Sequence, residues 1–114
     1  FILQQFSNFQ NSYAKSYNNV FNRMGRLFIE SLKRVEIKDE PSLLNIIHYI
    51  HFNAVHHKLC KNIFQWPHSS YHSILAIGKT LLKRNELLEW FGGRKAFIKF
   101  HEQEPVMPEC FIDI

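Results

Sequence analysis

The chain has 114 residues, 46% hydrophobic and 15% aromatic with eleven Phe, which gives one modest domain with one core and excludes a disordered polymer. No apolar run approaches the roughly 20 residues that span a bilayer, and no signal-peptide pattern opens the chain, so no membrane partner and a cytoplasmic location are expected. The formal net charge of +4 sits in the first half: residues 1–61 hold eight Lys/Arg against four Asp/Glu, residues 62–114 six of each. A basic half suits a polyanionic partner.

The spacing predicts a first helix over residues 2–24. Ile2, Phe6, Phe9, Tyr13, Tyr17, Val20 and Met24 recur every three or four residues, an aromatic stripe that reads as core-facing; stacking of a nucleobase on Tyr13 or Tyr17 is the alternative. Gly25 fits as the C-terminal stop. From Leu32 to Ile37 the pattern alternates in part, with β-branched Val35 and Ile37, and predicts a strand. A lone strand is not stable, and no second convincing strand follows, so its partners are expected to come from outside this sequence. Arg23, Arg26, Lys33 and Arg34 place four cations within twelve residues, a candidate phosphate-contact surface; a solvated basic turn is the alternative.

Residues 41–57 predict the central helix. Asp39 or Glu40 can cap it, and Pro41 suits its first turn. At about 100° per residue, Leu43, Ile46, Ile47, Ile50 and Ala54 form an apolar arc, widened by Leu44 and Val55. Ser42, Asn45, Tyr49, Asn53 and His56 form a narrow polar stripe. Tyr49 and Asn53 lie one turn apart. A phenol and a carboxamide so placed can act as a nucleophile and a neutral oxygen ligand for a hard metal ion, or form a hydrogen-bonded helix edge.

Lys58 to Gln65 reads as a loop. Trp66-Pro67-His68-Ser69-Ser70-Tyr71 follows, with Pro67 fixing a turn, Ser69 or Ser70 capping a short helix over 71–76, and Trp66 and Tyr71 packing as an aromatic clamp on the surface. Residues 80–91 predict a helix stopped by Gly92-Gly93, and residues 94–103 a last one with Ala96, Phe97 and Phe100 inward. The tail from Glu104, with two prolines, reads as irregular or extended. The expected organisation is a tyrosine-helix part over 1–78 and a helical extension over 79–114.

There is no phosphate-cradling Gly-rich loop, GxSxG or HExxH. The seven His show no zinc spacing and read as surface or half-buried residues. Cys60 and Cys110 show neither metal nor redox spacing and read as free thiols, with a single disulfide as the alternative.

Three stretches in order carry a resemblance: Gly25-Arg26-Leu27-Phe28 with Leu32-Lys33-Arg34; Asn45 to Val55, NIIHYIHFNAV; and Trp66-Pro67-His68-Ser69-Ser70-Tyr71. Together they resemble the REP-associated tyrosine transposases, single-tyrosine members of the HUH nuclease superfamily, over about residues 6–102. The resemblance implies an α+β fold: a predominantly helical portion with one or two strands, the C-terminal part of a ferredoxin-like domain. It implies Tyr49 as the nucleophile that attacks single-stranded or hairpin DNA to give a 5′-phosphotyrosine, and Asn53 as a ligand of Mg²⁺ or Mn²⁺. It also brings in homodimerisation as a further arrangement. Ala54 stands where members have Pro, His68 where Trp is common, and Leu32 where Phe is usual. The His-hydrophobic-His strand that would supply two metal ligands has no counterpart here, so this sequence alone is not expected to cleave DNA. A non-catalytic DNA-binding remnant and a helical interaction module are the alternatives.

Overall fold

The computed structural model describes residues 1–30 and 32–106. They form two compact units, Phe1–Glu36 and Ile37–Ile114. Among the described residues every regular element is helical: α1 Ile2–Val20, α2 Glu40–His56, a 3₁₀ turn Ile63–Gln65, α3 Tyr71–Leu75, α4 Arg84–Phe91 and α5 Arg94–His101. The α+β expectation is thereby corrected. Residues 32–38 take no regular secondary structure and form no ladder among the described residues, and Leu32, Val35 and Ile37 are exposed. The alternation there was too short to make a sheet without a second strand, and the described residues contain no sheet of the ferredoxin-like kind.

In the first unit, α1 ends at Val20 rather than at residue 24. Asn22 takes a left-handed φ of +50°, which a short amide side chain tolerates, so the turn comes before Gly25. Gly25 itself sits at φ +98°. Residues 21–30 fold back along the helix. Asn18 Nδ2 donates to Gly25 O (3.1 Å), and Arg23 donates to Asn18 Oδ1 (3.1 Å) and Arg26 O (3.4 Å). The rings of Tyr13 and Phe28 lie 6.3 Å apart. The aromatic stripe is nonetheless not core: no residue of α1 is buried, and Phe9 is 68% exposed. One helix and an irregular arm offer no second face against which to bury it.

The second unit holds the core. Asp39 caps α2, its carboxylate accepting from Ser42 N (2.9 Å) and Ser42 Oγ (3.0 Å), with the backbone bond foremost in holding that carboxyl below its ordinary range. At the other end Lys58 takes a left-handed φ of +60°. Lys58 N then donates to Val55 O and Leu59 N to Ala54 O, both 2.9 Å, the paired reverse bonds that close a helix. Gly92, at φ +93°, closes α4 in the same way: Gly92 N reaches Glu89 O and Gly93 N reaches Leu88 O.

Tyr71, Ile74, Phe91, Phe97 and Ile63 make the buried cluster, with Leu44, Ile47, Phe52 and Val55 of α2 packed on it. Tyr71 stacks on Phe97 (5.5 Å between centroids, 24° between planes), and Phe91 meets Phe97 edge-on at 5.0 Å. Tyr71 is 1% exposed, so it is core, not half of a surface clamp. Arg84 ties the end of α3 to the start of α4, donating to Ser73 O and Gly78 O; Arg94 donates to Leu75 O. Helices α4 and α5 are each shorter than their spacing suggested.

Candidate functional site

The sequence places Tyr49 and Asn53 one turn apart on α2, and the helix is continuous through both. Tyr49 is half-buried and Asn53 exposed. The ring of His56, the next member of the polar stripe, lies 6.1 Å from that of Tyr49. The stripe therefore carries a phenol, an amide and an imidazole on the side of α2 turned from the core.

That side is set by what α2 buries opposite it. Its buried residues are Ile46, His48, His51 and Ala54, while Ile50, assigned to the apolar arc, is 59% exposed. The reading of the histidines as surface or half-buried fails for three of them: His48, His51 and His101 are 1%, 2% and 5% exposed. For His51 and His101 the burial is matched by partners for the ring nitrogens. His101 Nδ1 lies 2.8 Å from Phe97 O. A carbonyl only accepts, so Nδ1–H donates and neutral His101 keeps Nε2 as an acceptor. His51 Nδ1–H donates to that Nε2 at 2.9 Å, which leaves His51 Nε2 to accept from Ser70 Oγ–H at 2.7 Å. One directed chain thus runs from α3's start through α2 to α5, with both tautomers fixed. The sequence left open whether Ser69 or Ser70 caps α3. Ser70 occupies the N-cap position, but its side chain makes no cap bond; it faces His51 instead, and Ser69 Oγ accepts from Tyr71 N at 3.4 Å.

Burial, aided by the neighbouring histidines, pushes His51 down to about 3. Burial likewise takes His101 down to about 4, against the Phe97 hydrogen bond. His48 is also lowered, chiefly by burial. Its ring packs on Phe100 (5.4 Å) and His101 (4.7 Å), and among the described residues its Nε2 has no hydrogen-bond partner. Serine, histidine and a third orienting group have the connectivity of an activated hydroxyl. An imidazole held near 3 takes no proton at neutral pH, however, so this chain is a lock between helices rather than a base. The signal was present in the sequence: His48 and His51 share an arc with Leu44, Phe52 and Val55.

Beside the stripe lies an open groove of about 330 Å³, its walls formed by Ile50, Asn53 and His57 of α2 and by Trp66, His68 and Ser70. The Trp66 and His68 rings meet edge-on at 5.3 Å. The motif stretch beginning at Trp66 therefore packs directly on the tyrosine helix.

The four predicted phosphate contacts belong to the other unit. Arg23 is half-buried, bonded as above, with its guanidinium 5.8 Å over Tyr17. Arg26 and Arg34 are exposed. Lys33 is exposed and 3.9 Å from Glu30, a pairing that costs it little availability.

The metal expectation meets only part of its ligand set. Mg²⁺ or Mn²⁺ takes about six ligands, several of them water, and Asn53 is one neutral amide. Among the described residues no three His, Cys, Asp or Glu gather as a metal-binding group. These residues do not complete a cation site. Cys60 is half-buried, and Cys110 lies outside the described residues. Among the described residues no helix is long and apolar enough to cross a membrane. No family profile, curated protein or solved structure matches the chain.

Proposed function

We propose that this chain is the tyrosine-bearing portion of an enzyme that cuts and rejoins single-stranded or hairpin DNA, of the REP-associated tyrosine transposase kind. The observation that carries the reading is Tyr49 and Asn53 one turn apart on the side of α2 away from its buried face. The three ordered sequence stretches support it, since two of them meet at the groove.

In this reading Tyr49 Oη attacks a phosphodiester phosphorus. The Oη–P bond forms and the P–O3′ bond breaks. The strand's 5′ phosphate stays on the tyrosine, and the 3′ oxygen leaves and takes up a proton. A phenol with an ordinary pKa of about 10 is a poor nucleophile at neutral pH, so its proton needs an acceptor. His56 is placed to take it, directly or through a water. Asn53 would offer one oxygen to Mg²⁺ or Mn²⁺; the remaining ligands would come from outside the described residues.

Binding and cutting are tested separately. The chain should bind a labelled hairpin-flanked single strand, with affinity falling steeply as salt rises. In the protein that carries this sequence, supplied with Mn²⁺, a denaturation-resistant DNA adduct should form and should vanish in Tyr49→Phe. An adduct that survives that substitution removes Tyr49 from the role. Salt-dependent binding with no adduct under any condition supports the second reading, a DNA binder without cleavage.

A further inference from the structure

The groove beside Asn53 has a chemistry of its own. It is bounded on one side by α2 and on the other by the stretch from Trp66 to Ser70. At about 330 Å³ it lies at the small end of ligand sites, too small for a duplex and matched to one planar group. Among the described residues its lining holds no Lys, Arg, Asp or Glu, and its ionisable side chains are His57 and His68, so no permanent charge stands in it to hold a phosphate or an ammonium. It offers a half-buried indole, the apolar side chains of Ile50 and Leu59, and short polar groups: the Asn53 amide, which both donates and accepts, the Ser69 hydroxyl, whose hydrogen is free to donate, and the Ser70 oxygen, which can only accept because its hydrogen goes to His51. Neutral, flat, apolar-faced and rimmed with hydrogen-bond donors and acceptors describes an unpaired nucleobase.

Position points the same way. At about 100° per residue, Asn53 is some 40° from Tyr49 on one side and about 40° from His57 on the other. Asn53 therefore borders both the nucleophile's stripe and the groove. We infer that the groove takes one unstacked base of a single strand, held against Trp66 and read by Asn53 and the Ser69–Ser70 hydroxyls, from a nucleotide next to the phosphate presented to Tyr49. The inference rests on the DNA reading above and adds to it a subsite that specifies a base rather than a phosphate. The floor is rigid, because Ser70 Oγ is already bonded to His51.

The test is equilibrium binding of the full chain to a fluorescein-labelled single strand flanked by a hairpin, with an abasic site moved one position at a time along the strand. One position should weaken wild-type binding by about five-fold or more, the scale of one base–aromatic stack. In Trp66→Ala the intact strand should bind about as weakly as that abasic strand does to wild type, with no further loss from the abasic site; Trp66→Phe should retain most of the coupling. Circular dichroism at 222 nm confirms that each variant is folded, and Trp66→Leu, which keeps bulk but loses the aromatic face, carries the test should Trp66→Ala not fold. An abasic penalty of the same size in wild type and both variants overturns the subsite while leaving the DNA reading intact. A second copy of the chain released by Trp66→Ala in sedimentation, with DNA affinity unchanged, assigns the groove to self-association and overturns it too. No binding of any single strand at low salt overturns both.

Discussion

Acidification should unfold the second unit well above the pH at which ordinary carboxylates titrate, and the cause is the pair His51–His101. In the folded chain burial holds these groups at about 3 and about 4; unfolded, each returns to about 6.5. Between those values the unfolded chain binds protons that the folded chain refuses. Stability therefore rises with pH across this window and is lost as pH falls below about 6.5. Each pH unit of mismatch is worth about 1.4 kcal/mol per group. At pH 5 each histidine lies about 1.5 units below its unfolded value, which gives about 2 kcal/mol apiece and about 4 kcal/mol for the two relative to pH 8. Whole domains have only about 5–15 kcal/mol, so the melting temperature should fall by on the order of 20 °C between pH 8 and pH 5. Helical circular dichroism followed through thermal melts at pH 8, 7, 6 and 5 measures this. A melting temperature that is flat from pH 7 to pH 5 refutes the claim that the buried pair stays neutral.

Three further outcomes follow from the same geometry. Ser70→Ala removes the donor to His51 Nε2 and leaves a buried acceptor unpaired, which should cost about 1–3 kcal/mol in urea unfolding; Ser70→Thr, which keeps the hydroxyl, should recover much of it. Lys58→Gly should stabilise by about 1 kcal/mol, because Lys58 holds a left-handed φ of +60° that glycine adopts without a Cβ penalty; a lowered urea midpoint would count against the reverse-turn account of that helix end. His56→Ala should slow adduct formation at Tyr49 by about 10²-fold or more, with partial rescue by added imidazole; a loss that imidazole does not rescue would make His56 structural rather than a proton acceptor.

How much of this could be read in the residues depends on what kind of force places each one. Helix α2 was legible because its cap at Asp39, its proline and its apolar period all act locally. Its facing was legible only in part. The period put Ile50 inward; it also set His48 and His51 on the arc of Leu44, Phe52 and Val55, but an imidazole reads as polar until its partners are known, so their burial was missed. Those partners lie in Ser70 and His101, and no local pattern announces a bond across 50 residues of chain. The strand over Leu32–Ile37 failed for the opposite reason. Alternation is a statement about two faces, but a strand exists only by pairing, and the described chain has no other. The stripe on α1 was legible as amphipathic; burial of that stripe was not, since amphipathicity states which face avoids water and not whether anything covers it.

The phase of α2 about its axis is the quantity on which any use of Tyr49 depends. Leu44, Ile47, Phe52 and Val55 pack on the core, but apolar contacts tolerate small rotations by repacking. Hydrogen bonds do not. His51 is held from both ring nitrogens, toward α3 and toward α5, and a turn of α2 by even one residue's step would break both. At about 100° per residue Tyr49 lies some 160° around the helix from His51, so fixing one fixes the other outward. Ser70 belongs to this lock and to the groove wall at once. The residue that sets which face α2 presents is therefore also part of the surface beside that face. A phenylalanine at position 51 would keep the burial and lose the bonds. It should leave the fold standing while loosening the register between Tyr49 and the groove, a separation of packing from positioning that apolar burial by itself could not produce.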